Sequence, residues 1–202
     1  MIIHERAAKL FAVPEHFVSL QENYFACKDY YRGEGGKKIG LTGDDLRSTG
    51  MISGDMFVHP DVIEPLTKAR NVLLQQGMYM VVSDAFRPQA LYELVLTKRQ
   101  ALGMSVKLFN PEQAPHATGF AVDINLVDNR NIPVITRNQK RDGEACCKYG
   151  YYSGYNQCTM ESVYHRIQIL LVDIFKSQGF RLGSKDEYWH FELGNLSAEK
   201  RY

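Results

Sequence analysis

Between Phe120 and Leu126 the chain alternates. Phe120, Val122, Ile124 and Leu126 fall on one side of an extended backbone, and Ala121, Asp123 and Asn125 on the other. Successive strand side chains point to opposite faces, so the run reads as a strand with one face buried and the other polar. A strand of this kind needs a sheet with apolar cover on one side. Helical patterns elsewhere supply the cover. Val62, Ile63, Leu66, Ala69, Val72 and Leu73 predict a helix over 60–76, with Pro60 at its start and Gly77 at its end. Leu91, Leu94 and Val95 predict a second from Pro88 to about Leu102, stopped by Gly103. Val163, Ile167, Leu170, Leu171 and Ile174 predict a third over 159–178, with Thr159 as N-cap and Gly179 as its end.

The remaining strands are shorter. Met78 to Ser83 reads as a buried strand, and Ile132 to Ile135 as a hairpin partner returning from the turn Asp128–Asn131. Glu187 to Leu193 reads as the last strand. In residues 1–58 an amphipathic stretch runs up to Pro14, and Gly33, Gly35, Gly36, Gly40 and Gly43 mark loops. Residues 137–158 form a polar, Tyr- and Gly-rich stretch, expected as a lid or insertion. Antiparallel strands packed against helices make an α+β fold, expected as a single domain over residues 1–202.

Composition excludes several function classes. The 202 residues are 45% hydrophobic and 23% charged, which rules out wholesale disorder. Twenty-four Lys and Arg against 23 Asp and Glu leave a formal charge of +1, so no nucleic-acid partner is expected. The longest aliphatic run, Ile169 to Val172, is far short of a membrane span. The charged His4-Glu5-Arg6 stands where a secretory signal needs its apolar stretch, so the expected compartment is the cytoplasm. The alternative is a periplasmic protein whose signal was removed. Cys27, Cys146, Cys147 and Cys158 are too few and too irregular for a disulfide framework, although Cys158 could pair with Cys146 or Cys147 in an exported protein.

The chain has no His-Glu-x-x-His, Gly-x-Ser-x-Gly, Gly-x-Gly-x-x-Gly or Walker loop. Three other segments carry chemistry: Ser83-Asp84-Ala85-Phe86-Arg87-Pro88, His116-Ala117-Thr118-Gly119-Phe120-Ala121-Val122-Asp123 and Glu187-Tyr188-Trp189-His190. A hydrolytic zinc wants about three N/O protein ligands and one open position. His116, Asp123 and His190 would supply two imidazoles and a carboxylate. Gly119 allows the turn between the first two. Glu187 could take a proton from an attacking water. Because residues 187 and 190 face opposite ways in a regular strand, Glu187 has to lie where the strand is only beginning. Arg87, at a strand-to-helix corner, could hold a developing oxyanion.

His-x-x-Gly-x-Ala-x-Asp followed by Glu-x-Trp-His is similar to the motifs of the VanX and VanY type zinc peptidases. The resemblance covers residues 60–195, and Phe86-Arg87-Pro88 looks more like the dipeptidase branch. It implies a Hedgehog/D,D-peptidase-like fold and one zinc per chain on His116, Asp123 and His190. It also implies Glu187 as catalytic base, Arg87 on the scissile carbonyl, and a small D-amino-acid peptide as substrate. Where the family usually has Ser two residues before the first zinc His, this chain has Ala114-Pro115. The family's ammonium-binding Asp has no clear counterpart, and Asp142 or Glu144 is the expected substitute. Trp189 joins these as a candidate substrate contact, with packing beside the metal as its plainer role. The implied function is D-alanyl-D-alanine dipeptidase. The alternatives are a D,D- or L,D-carboxypeptidase on peptidoglycan stems and a non-catalytic zinc module.

Overall fold

The computed structural model describes residues 13–51, 53–104, 106, 115–131, 133–135, 163–183 and 189–194. In chain order the elements are β1 (Val18–Ser19), β2 (Ala26–Cys27), α1 (Glu34–Lys38), α2 (Gly43–Ser48) and β3 (Phe57–Val58). They continue with α3 (Ile63–Gln75), β4 (Tyr79–Asp84), α4 (Gln89–Ala101), β5 (Ala121–Val127) and β6 (Pro133–Ile135). Last come α5 (Val163–Ser177), β7 (Phe180–Leu182) and β8 (His190–Leu193). Helices and antiparallel strand pairs make this an α+β fold. Among the described residues, no helix is long and apolar enough to cross a membrane. The described residues group into two compact units, 13–60 with 84–121 and 61–83 with 122–194.

In the first unit β1 pairs antiparallel with β3. Tyr31, Ile39, Leu46, Leu91 and Val95 make its main core, with Tyr30, Leu41, Met51 and Met104 against it. The glycines expected to mark loops divide. Gly35 and Gly36 lie inside α1, and Gly43 is the first residue of α2. The reason is close packing. A Cβ on Gly35 would fall 2.0 Å from the Tyr30 ring, and one on Gly36 would fall 1.9 Å from the Tyr31 carbonyl oxygen. These glycines are there for close approach, at a cost in helix propensity. Thr42 and Asp45 cap α2 reciprocally. Helix α4 begins one residue later than expected, with Pro88 as its N-cap. It buries Tyr92 beside Leu91 and Val95, while Leu94 is only half-buried.

In the second unit a 3₁₀ turn at Pro60–Val62 runs up to α3, whose Leu66, Ala69 and Leu73 are fully buried. Strands β4, β5, β8 and β7 lie side by side in that order, with β6 on β5. The hairpin expected after Asp128 is present: Leu126 faces Ile135 in an antiparallel register. Helix α5 packs on α3, β6 and β7. Its core face is Leu171, Val172, Ile174 and Phe175, whereas Ile167 and Leu170 are half-buried. Phe175 stacks on Phe191 at 4.1 Å between ring centroids. Strand β7, to which the sequence reading assigned no element, pairs antiparallel with β8: Phe180 faces Leu193, Arg181 faces Glu192, and Leu182 faces Phe191. The N-terminal stretch, the 137–158 segment and Thr159 lie outside the described residues.

Candidate metal centre

His116 sits on a short 3₁₀ turn, Pro115–Thr118, and is buried. The Thr118 hydroxyl clamps this turn. It donates to the Pro115 carbonyl at 2.6 Å and accepts from the Phe120 amide at 3.1 Å. Gly119 then reverses the chain at φ +76°, and a Cβ there would lie 2.4 Å from the Phe17 ring. Only glycine meets both conditions cheaply. The His116 Nδ1 lies 2.8 Å from the Ala85 carbonyl oxygen. A carbonyl only accepts, so Nδ1 carries the proton and the Nε2 lone pair is left for a metal. The backbone holds the residue too: His116 N donates to the Tyr92 hydroxyl at 3.2 Å, and Arg87 N donates to the His116 carbonyl at 3.2 Å.

Asp123 projects from β5 with 1% of its surface exposed. On the face expected to be polar, Ala121 and Asp123 are buried and Asn125 is half-buried. His190 opens β8 and is also buried, with Nδ1 2.8 Å from Asp123 Oδ1. Strand β8 is positioned by the Ile124 amide, which donates to the Trp189 carbonyl at 2.9 Å. One ligand atom each from His116, Asp123 and His190 lies within 4.8 Å of the other two. Two imidazoles and one carboxylate, all buried, are the donor chemistry of a three-ligand zinc site with a position left for water.

Arg87 follows β4 and is 3% exposed. Its Nη2 is ion-paired with Asp84, and its guanidinium lies 4.7 Å from the Tyr31 ring centroid and 4.3 Å from that of Tyr92. Asp84 also accepts from the Ala85 amide at 3.0 Å. Burial, with Arg87 working against it, pushes the Tyr92 hydroxyl well above its ordinary range, so it stays protonated. The expectation of a cation at a strand-to-helix corner holds. Its setting, a carboxylate and two aromatic faces, was not foreseen. Removing one member of a buried ion pair strands the other, so Arg87→Ala should lower unfolding free energy by about 3–5 kcal/mol. Urea titration of the parent and the variant reads this, and an unchanged midpoint would contradict it.

No family model matches the chain. A D-alanyl-D-alanine dipeptidase from Synechocystis sp. is 27% identical over 168 residues, which covers 66% of this chain and 68% of that protein. One from Escherichia coli is 24% identical over 146 residues, covering 70% of this chain and 69% of that protein. In sequence the chain is similar to D-alanyl-D-alanine dipeptidases, which supports a peptidase of the VanX/VanY type. Among solved structures, a variant of the vancomycin-resistance D,D-pentapeptidase VanY in complex with Zn(II) is 16% identical to the peptidase. It covers 70% of this chain and 75% of that one, with a TM-score of 0.41. VanYB in complex with D-alanine-D-alanine is 14% identical over 70% of this chain and 74% of that one, also with a TM-score of 0.41.

One residue beside the candidate donor set escaped the sequence reading. Glu192 is two positions after His190 on β8, so both project from one face. Its Oε1 lies 3.2 Å from His190 Nε2, and its Oε2 accepts from Arg181 Nε at 3.1 Å. Burial opposes its charge, but His190 and Arg181 outweigh burial and hold the carboxyl at about 2. The signal was legible: a charged residue at i+2 from a ligand on a short strand. Trp189 is 6% exposed, in keeping with a packed wall. Glu187, Asp142, Glu144, Cys146, Cys147 and Cys158 lie outside the described residues of the peptidase. Cys27 is a free thiol, and burial with Asp55 and Asp29 pushes it up to about 12.

Proposed function

We propose that the peptidase hydrolyses D-alanyl-D-alanine to two molecules of D-alanine. The buried His116, Asp123 and His190 donor set carries the reading, since it fits zinc. Sequence similarity to two D-alanyl-D-alanine dipeptidases supports the substrate. When bound, zinc acidifies water and polarises a carbonyl. Glu187 takes the proton of the water that adds to the scissile carbonyl carbon. It then returns that proton to the leaving nitrogen as the C–N bond breaks. Arg87 meets the developing oxyanion. A guanidinium already held by Asp84 and two rings loses little freedom in doing so. The same reading makes 137–158 a lid that closes over a dipeptide, with Asp142 or Glu144 receiving its ammonium, and places the reaction in the cytoplasm.

A panel of D-Ala-D-Ala, L-Ala-D-Ala, a stem tripeptide and a pentapeptide tests the proposal with zinc-loaded protein. The dipeptide D-Ala-D-Ala should be cleaved and the pentapeptide spared. Equal rates on both would favour a carboxypeptidase, and no turnover at full zinc loading would favour a binding module.

A further inference from the structure

The inference deepens the metal-centre reading and rests on it. On β7 and β8, Arg181 is the cross-strand partner of Glu192, and the Gly183 amide donates to the His190 carbonyl at 3.0 Å. Gly183 follows β7 directly and lies two residues after Arg181, opposite His190, while His190 and Glu192 share one face of β8. The His190 ring and the Glu192 carboxylate both lie over Gly183. A Cβ there would fall 2.2 Å from His190 Cδ2, 2.6 Å from His190 Nε2 and 2.5 Å from Glu192 Oε1. The missing side chain is the space they occupy.

The two oxygens of Glu192 are divided. Oε2 is held by Arg181, which fixes the rotamer, and Oε1 faces His190 Nε2. Asp123 Oδ1 lies 2.8 Å from Nδ1, so the two buried carboxylates compete for the ring proton. Were a metal to take both Asp123 and Nδ1, the Glu192 carboxylate at Nε2 would be the acceptor left for that proton. We propose that Glu192, anchored by Arg181 and given room by Gly183, is a positioning residue that fixes the tautomer and orientation of His190 for metal binding through Nδ1. It would not contact the substrate. Its effect reaches the metal through the imidazole.

Zinc affinity of the metal-free protein, measured by competition with a chromophoric chelator, tests this directly. Glu192→Ala should weaken zinc about 10- to 100-fold. Glu192→Gln, which keeps an acceptor oxygen, should recover part of the loss. Gly183→Ala should weaken zinc in the same direction. A Glu192→Ala variant that folds and binds zinc within about twofold of the parent, well below the expected loss, would overturn the proposal. Ring-nitrogen NMR of the zinc-loaded parent needs no variant and decides the matter if Glu192→Ala does not fold. It should show His190 protonated at Nε2 and metallated at Nδ1, and the opposite tautomer would overturn the proposal. A merely structural role for Glu192 would move the melting temperature of the metal-free protein without setting that tautomer. A parent that binds no zinc would overturn the metal centre together with this inference, which separates the two failures.

Discussion

His116→Ala and His190→Ala should each yield a folded protein that no longer holds zinc and no longer hydrolyses peptide. Each removes one of the three buried donors that the described residues bring within 4.8 Å of one another. A metal supplies several kcal/mol of charge stabilisation. At about 1.4 kcal/mol per factor of ten, losing it should cost at least ~1,000-fold in turnover. The two variants should differ in stability. His190→Ala removes a ring that lies within hydrogen-bond reach of two buried carboxylates, Asp123 and Glu192. His116→Ala loses the Nδ1 donation to the Ala85 carbonyl. His190→Ala should therefore melt lower. Zinc bound in thousandfold excess over its Kd stabilises by about 4 kcal/mol. Adding zinc should raise the melting temperature of the parent and leave both variants unmoved. Elemental analysis of purified protein gives the occupancy, and full occupancy in both variants would remove these histidines from the ligand set.

Glu187→Gln should give the second-largest effect and a different pattern: zinc retained, fold retained, turnover lost. Gln has nearly the same shape but cannot accept the water's proton at neutral pH. General-base contributions are typically ~100- to 10,000-fold, and the same group also protonates the leaving amine. The parent and variant should bind zinc and D-Ala-D-Ala alike, so the loss falls on kcat rather than KM. Parent-like turnover in the variant would remove Glu187 from the mechanism. A variant that also lost zinc would make it a ligand instead of a base.

Much of this molecule is set by local sequence. Helices α3 and α4 carry their apolar residues at 3.6-residue spacing, and Gly77 and Gly103 follow their ends at positive φ, so periodicity and stop signals located both within three residues. The β5–β6 hairpin was legible for the same reason, a clean period of two followed by a turn. The ligand trio was legible because its donor types are rare together and each sits beside a backbone feature that explains it: Gly119 after His116, and a polar strand face at Asp123. What sequence pattern missed was non-local. Gly35 and Gly36 read as loop residues because nothing nearby in sequence says that Tyr30 and Tyr31 press against them in a helix. Strand β7 is three residues long, too short for a period, and exists because β8 lies beside it. Arg87 was visible as a cation at a corner, but its partner rings come from residues 31 and 92, and its burial is a property of their packing. Its place at i+2 from His190 puts Glu192 on the same strand face, which sequence shows, but not what its carboxylate meets. Only the antiparallel register that places Arg181 opposite it, and the empty space over Gly183, turns its carboxylate toward His190. Local spacing determines which donors are available, and cross-strand register decides which atoms of those donors face each other, because register pairs residues far apart in the chain.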